Sequence, residues 1–261
     1  MRSQILFAIL IAANLQAQPP GPPQPPRPAK AAAPVDLTGY WVSVISEDWR
    51  WRMVTPIKGD FASIPINAGA RRVGDAWDPA KDEAAGLQCK AFGAPAIMRA
   101  PGRVHITWQD DNTLKLETDE GAQTRVFNFA PPGSQGLIRL DGEPTWQGFS
   151  VANWERAPRG VEIPDPVPIF SVRQGGQGRS LEVFTTHLRP GYLRKNGVPY
   201  SANAIVTEWF DRHVASNGDV WLVVNTEVKD PQYLTTPFIT SSHFKKLPDN
   251  APWKPEACTS R

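Results

Sequence analysis

Val104-His105-Ile106-Thr107-Trp108, then Asp110-Asp111-Asn112, then Thr113-Leu114-Lys115-Leu116-Glu117-Thr118 is the stretch that decides the fold. Apolar and polar side chains alternate on both sides of a turn-forming triplet, the period-two pattern of a sheet with one buried face. Asp119-Glu120-Gly121 turns the chain again into Gln123-Thr124-Arg125-Val126-Phe127-Asn128-Phe129. Three strands joined this tightly form an antiparallel meander.

The same pattern recurs toward the C-terminus. Ser180–Thr186 reads as a strand, and Asn196-Gly197 suits the type I′ turn of a hairpin. Ala204–Phe210 follows, Ser216-Asn217-Gly218-Asp219 turns the chain, and Val220–Thr226 returns until Asp230-Pro231 stops it. Phe238–Phe244 offers a last strand. Helix signals are few. Asn67 can cap a short helix running through Ala70–Val73 toward Trp77, and Asp78-Pro79 supplies an N-cap with proline in the first helical position. With 27 prolines in the chain, a continuous helical architecture is excluded. The expected fold is mostly β: a single antiparallel barrel with one or two short helices after the first strand, forming a lid or plug.

Upstream of the strands, the chain reads as an exported protein. Arg2 precedes the apolar run Ile5–Ala13, and Leu15-Gln16-Ala17 resembles a cleavage site, so residues 1–17 form a signal peptide. The run is too short to span a bilayer, and no cysteine near the cut would take a lipid. Residues 18–34 carry a proline at 19, 20, 22, 23, 25, 26, 28 and 34, the composition of an extended, unpacked tether. Residues 35–261 then form one domain, with no membrane insertion after cleavage and a periplasmic or extracellular location. The formal charge of +2 falls to +1 once Arg2 leaves with the signal, a balance that argues against nucleic acid or an anionic membrane as partner. In an oxidising compartment, Cys89 and Cys258 read as one disulfide closing a long loop. Export also disfavours chemistry that depends on nucleotide cofactors, and no cofactor is expected.

Gly39-Tyr40-Trp41 is similar to the Gly-x-Trp that opens lipocalin-like barrels, where the tryptophan plugs one end. Three further blocks extend the likeness: Cys89–Met98, Trp146-Gln147-Gly148-Phe149-Ser150 through Glu155, and the run from Ser180 to Asp230-Pro231-Gln232-Tyr233-Leu234-Thr235-Thr236-Pro237. Together they resemble a group of signal-bearing bacterial proteins with a lipocalin-like β-fold. The resemblance covers about Gly39 to Lys246 and implies fold and export, but no activity. It is interrupted by residues 156–179, a proline- and glycine-rich insertion.

Chemistry must then be read from the residues. His105, His187, His213 and His243 lie tens of residues apart at no metal-ligand spacing, so no metal site is expected. Gly148-Phe149-Ser150-Val151-Ala152 lacks the second glycine and the helix of a nucleophile elbow, and Gly175-Gly176-Gln177-Gly178 lacks the lysine of a phosphate loop. Glu208 shares its strand face with Val206 and Phe210, an inward position if those two are core. A carboxylate there needs a cationic partner, Arg125 or Arg194, or else becomes a candidate general acid or base. Ten tryptophans give the other signal. In Trp49-Arg50-Trp51-Arg52, read as a strand, alternation puts both rings on one face and both guanidinium groups on the other. Rings facing inward would floor a cavity, arginines facing inward would hold a carboxylate or sulfate, and packing alone would also use the rings.

The expected function is binding of a small, partly hydrophobic molecule by Trp49, Trp51, Trp108, Arg125 and Glu208, with His105 and His243 as further polar anchors. The competing expectation is a cofactor-independent hydrolase, lyase or isomerase using Glu208, His105 or His243 as general acid or base.

Overall fold

The computed structural model describes residues 27–129, 142–155 and 180–260. The expected signal peptide, most of the expected tether and the 156–179 insertion lie outside the described residues. Along the chain, β1 (Gly39–Val44) is followed by four short helices, α1 (Trp49–Arg52), α2 (Ala68–Asp75), α3 (Pro79–Ala84) and α4 (Ala94–Ile97), with a 3-10 turn at Gln88–Phe92. Strands then dominate: β2 (Arg103–Asp110), β3 (Thr113–Thr118), β4 (Glu120–Gly121), β5 (Thr124–Phe129), β6 (Phe149–Trp154), β7 (Leu181–Thr186), β8 (Gly191–Arg194), β9 (Val198–Tyr200), β10 (Ile205–Val214), β11 (Val220–Lys229), β12 (Phe238–Lys246) and β13 (Glu256–Ala257).

Nine strands close into a barrel in the order β1-β12-β11-β10-β7-β6-β5-β3-β2, with β2 returning to β1. The expected meander is present as β2, β3 and β5. The barrel is not purely antiparallel, because β5 and β6 run parallel through Phe127–Ser150, Asn128–Val151 and Phe129–Ala152. An odd ring forces this correction: nine strands cannot alternate direction all the way round, so at least one pair must be parallel. A parallel pair also needs a long crossover between its strands, which the chain between Phe129 and Phe149 supplies.

Parity then sorts each strand's side chains. Val104, Ile106, Leu114, Leu116, Phe127, Ala152, Leu181, Val183, Phe210, Leu222, Val224 and Phe244 are buried in one cluster with Trp41. Each of the buried Val, Leu, Ile and Phe side chains contributes about 1.5–3 kcal/mol by leaving water. One end of the barrel is closed by Trp108, Phe129 and Trp154, whose ring centroids lie 5.5–6.5 Å apart. There the packed chain begins earlier than expected: Ala29 donates its N–H to Asn112 Oδ1 (2.9 Å) and accepts from Trp154 Nε1 (2.9 Å). Trp41, fully buried, donates its indole N–H to Leu37 O (3.0 Å) under the Lys246 ammonium.

The opposite end is covered by the 3-10 turn, α4 and the β8–β9 hairpin, whose Leu193, Val198 and Tyr200 join Val206, Val228 and Phe238 in a second apolar cluster. The helices exceed the one or two expected. Asn67 caps α2 by accepting from Ala70 N, and Asp78 caps α3 by accepting from Ala80 N, with Pro79 at the first position. The hairpin turn is not type I′: Gly197 has φ 86° but Asn196 does not share the positive φ that type requires. Instead the Asn196 side chain is buried and donates to Ile57 O and Asp60 O, which fixes it in place. Cys89 and Cys258 are disulfide-bonded, and the same tail pairs β13 with β4. Among the described residues, no helix is long and apolar enough to cross a membrane.

Candidate functional site

Two clusters carry functional groups: a buried polar centre in the barrel and an open cleft outside it. Glu208 on β10 and Arg125 on β5 point inward from strands three places apart in the ring. Arg125 Nη1 donates to Glu208 Oε1 (2.9 Å) and Nη2 to Oε2 (2.5 Å). Both side chains are essentially inaccessible, and Thr185 and Ser150 extend the polar layer through a 2.7 Å contact between their hydroxyls. Arg125 Nε and Ser242 Oγ have no hydrogen-bond partner among the described residues. A carboxylate held in this fork is an anchored counter-ion, and it lacks the solvent access that a general base needs to exchange protons. Glu208 is thus held in the ion pair with Arg125 that was the alternative to an acid–base role.

The proposed tryptophan floor does not form. Trp49–Arg52 is one helical turn, closed by Arg52 N–H to Asp48 O (3.1 Å) and Met53 N–H to Trp49 O (2.9 Å), so the strand alternation does not apply. Trp49 is 66% exposed, Trp51 donates to Asp60 Oδ2 (3.0 Å), and Arg52 turns inward. Trp108 belongs to the aromatic closure already described. Neither Trp49 nor Trp51 adjoins Arg125 or Glu208 in any hydrogen bond or ring contact among the described residues.

His105 and His243 both sit on the outside of the barrel. His105 stacks on Tyr40 with centroids 3.9 Å apart and an interplanar angle of 6°, and burial lowers its pKa against the raising effect of Glu117. His243 lies between hydroxyls and a carboxylate: Nδ1 is 2.9 Å from Ser46 Oγ and 3.2 Å from Glu47 Oε2, and Nε2 is 3.3 Å from Ser241 Oγ. The four histidines do not converge, and no group of three or more His, Cys, Asp or Glu fit for a metal occurs among the described residues.

The cleft was not anticipated. It spans about 570 Å3 between α2, α3 and β8, lined by Val73, Trp77, Tyr192 and Tyr233 together with Arg72, Lys81, Asp78 and Asp82. That size falls within the range of small-molecule sites. Its wall is braced by a polar triplet. Tyr192 Oη donates to Asp82 Oδ2 (2.8 Å), and Lys90 Nζ donates to Asp82 Oδ1 (2.6 Å) while lying 5.2 Å from the Tyr192 ring. Burial first, and then the bond to Asp82 and its charge, push the Tyr192 phenol well above its ordinary pKa, so it stays a neutral hydrogen-bonding group. Trp77 is held from behind by Gly197, where any Cβ would come within 2.3 Å of its Cβ and Cγ. Asn67 ties the far wall by donating to Gln232 O and accepting, through its helix cap, from Ala70 N.

Compared with family models, with curated proteins and with solved structures, the chain has no match.

Proposed function

We propose that the chain is an exported, lipocalin-like binding protein for a small, partly hydrophobic molecule, seated in the cleft beside α2 and α3 and not in the barrel lumen. The cleft's make-up carries this reading: three aromatic rings from distant parts of the chain surround an open space whose rim bears two cations and two carboxylates. Rings of this kind bury an apolar body, and the rim groups orient polar substituents. Export rests on the charged start, apolar run and small-residue cut at residues 1–17, and the Cys89–Cys258 bond suits the oxidising compartment to which that leads. The test is native purification from the secreted or periplasmic fraction, followed by mass spectrometry of co-eluting small molecules. A molecule retained by the native protein and lost from Trp77→Ala supports the cleft; one retained equally by both removes it.

A second reading is favoured by one observation, the setting of His243. With Nδ1 facing Glu47 and Nε2 facing Ser241, the imidazole has the polarity of an acid–base–hydroxyl chain. A cofactor-independent hydrolase built on it would cleave p-nitrophenyl acetate and lose that activity equally in His243→Gln and Ser241→Ala. Activity unchanged in both variants, or absent from the parent, would remove this reading.

A further inference from the structure

Four arginines from three separate stretches lie within electrostatic reach of one another: Arg50 and Arg52 on α1, Arg99 after α4, and Arg194 at the end of β8, with the Arg50 and Arg194 guanidinium groups over the Trp51 ring. Three carboxylates answer them. Arg50 pairs with Asp60 (3.0 Å), Arg52 with Glu47, and Arg99 with Asp48 (2.8 Å). Among the described residues, Arg194 has no carboxylate in its hydrogen-bond set; it donates to the main-chain carbonyls of Asp60 (3.3 Å) and Ala62 (2.9 Å).

The arrangement is unbalanced in donors as well as in charge. Arg52 Nη2 and Arg99 Nη1 are both shielded from solvent and have no hydrogen-bond partner among the described residues, and the Arg52 side chain is 1% exposed. Leaving a charged N–H donor buried and unsatisfied costs more than a neutral one. Arg52 Nε donates to the main-chain carbonyl of Arg99 (2.9 Å), and burial together with the Arg99 charge lowers the Arg52 pKa against the raising effect of Glu47. Burial, and next the charge of Arg99, pull the Arg194 pKa down to about 10, as expected where cations outnumber their counter-ions. Asp48 reflects the same demand. It adopts φ 52° at the N-cap of α1, makes no side-chain cap, and gives its carboxylate to Arg99 instead. A left-handed backbone held in place by surrounding contacts is the kind of local strain found at ligand clamps.

We propose that Arg52, Arg99 and Arg194 form a binding site for a small oxyanion. The anion would accept from Arg52 Nη2 and Arg99 Nη1 and balance the charge of Arg194. Arginine suits the task because its planar fork matches the oxygens of a phosphate, sulfate or carboxylate. The source is either a free inorganic oxyanion or the carboxylate of an organic molecule. The site does not rest on the cleft or on His243.

The experiment is thermal unfolding of the full mature chain in inorganic phosphate and, separately, in benzoate, each against sodium chloride at equal ionic strength. Saturating phosphate, about a hundredfold above its Kd, should raise Tm by roughly 5–10 °C over the chloride control. A rise with phosphate alone identifies an inorganic oxyanion, a rise with benzoate alone an organic carboxylate, and a rise with both a general oxyanion site. Arg99→Gln should abolish the rise. Because that change strands Asp48, Arg99→Lys provides the second variant: it keeps the charge, loses the fork and should cut the affinity at least tenfold. Arg50→Gln, on an exposed side chain, should respond like the parent. No rise beyond chloride with either anion, or an undiminished rise in the Arg99 variants, would overturn the site.

Discussion

Glu208 and Arg125 face one another across the barrel, joined by hydrogen bonds of 2.9 and 2.5 Å with neither side chain reaching solvent. Such a pair is a poor source of net stability but an expensive one to break. Glu208→Gln leaves the guanidinium charge buried beside Thr185 and should destabilise the fold by about 3–5 kcal/mol in urea denaturation. Replacing both partners, as Arg125→Met with Glu208→Leu, should be neutral or stabilising by up to about 4 kcal/mol. A double variant as unstable as the single one would mean that the pair itself holds the barrel.

Burial under Tyr40 keeps the His105 imidazole below its ordinary pKa of 6.5. A base lowered in the folded state favours its neutral form, so its contribution is present above the unfolded value and is lost as pH falls from there to the folded value. Tyr40→Ala uncovers the ring and should move its titration upward, read from the His105 proton resonances by NMR. An unmoved titration would assign the lowering to some other contact.

The disulfide connects the 3-10 turn to the C-terminal tail across a sequence separation of 169. Cys89→Ser with Cys258→Ser should cost about 2–5 kcal/mol. The two-residue bridge of β13 with β4, including Glu256 N–H to Asp119 O (2.8 Å), should open first. Hydrogen exchange at Glu256 should then rise well before exchange in β10 and β11, and simultaneous exchange would show that the tail unfolds only with the whole domain.

Gly197 and Gly218 have nearly the same positive φ, 86° and 87°, but only Gly197 meets a neighbour, Trp77. Alanine at Gly218 should cost only the left-handed backbone penalty of about 1 kcal/mol. Alanine at Gly197 should cost roughly 1–3 kcal/mol more through the forced shift of Trp77, and it should also weaken capture of the ligand proposed for the cleft. Equal costs in thermal unfolding would show that Trp77 yields freely.

Where pattern and local chemistry agreed, the fold was legible. The β2–β3–β5 meander follows from alternation, and α2 and α3 begin where Asn67 and Asp78 can cap them. The cysteine pair was readable because only two cysteines exist. Four residues of alternation were too few to separate a strand from a helical turn at Trp49–Arg52, and the turn won through the backbone bonds to Asp48 and Trp49. The parallel β5–β6 contact had no local signature, since strand count and not composition imposes it. Inward parity put Glu208 on the same face as Val206 and Phe210, but the cleft was invisible. Asp82 and Tyr192 stand 110 residues apart, and no spacing rule joins a helix start to a hairpin strand across that distance.

The odd ring also divides the chain in time. Strands β1, β2, β3 and β5 precede the parallel contact, β6, β7, β10, β11 and β12 follow it, and within the barrel the two sets meet along β5–β6 and β1–β12. Trp41 pairs with Lys246, so the first strand of the barrel waits for the last. A chain crossing a membrane N-terminus first would carry β1 as an open edge for most of its passage, the condition in which strands recruit unintended partners. The proline-rich run ahead of β1 cannot add to such an edge.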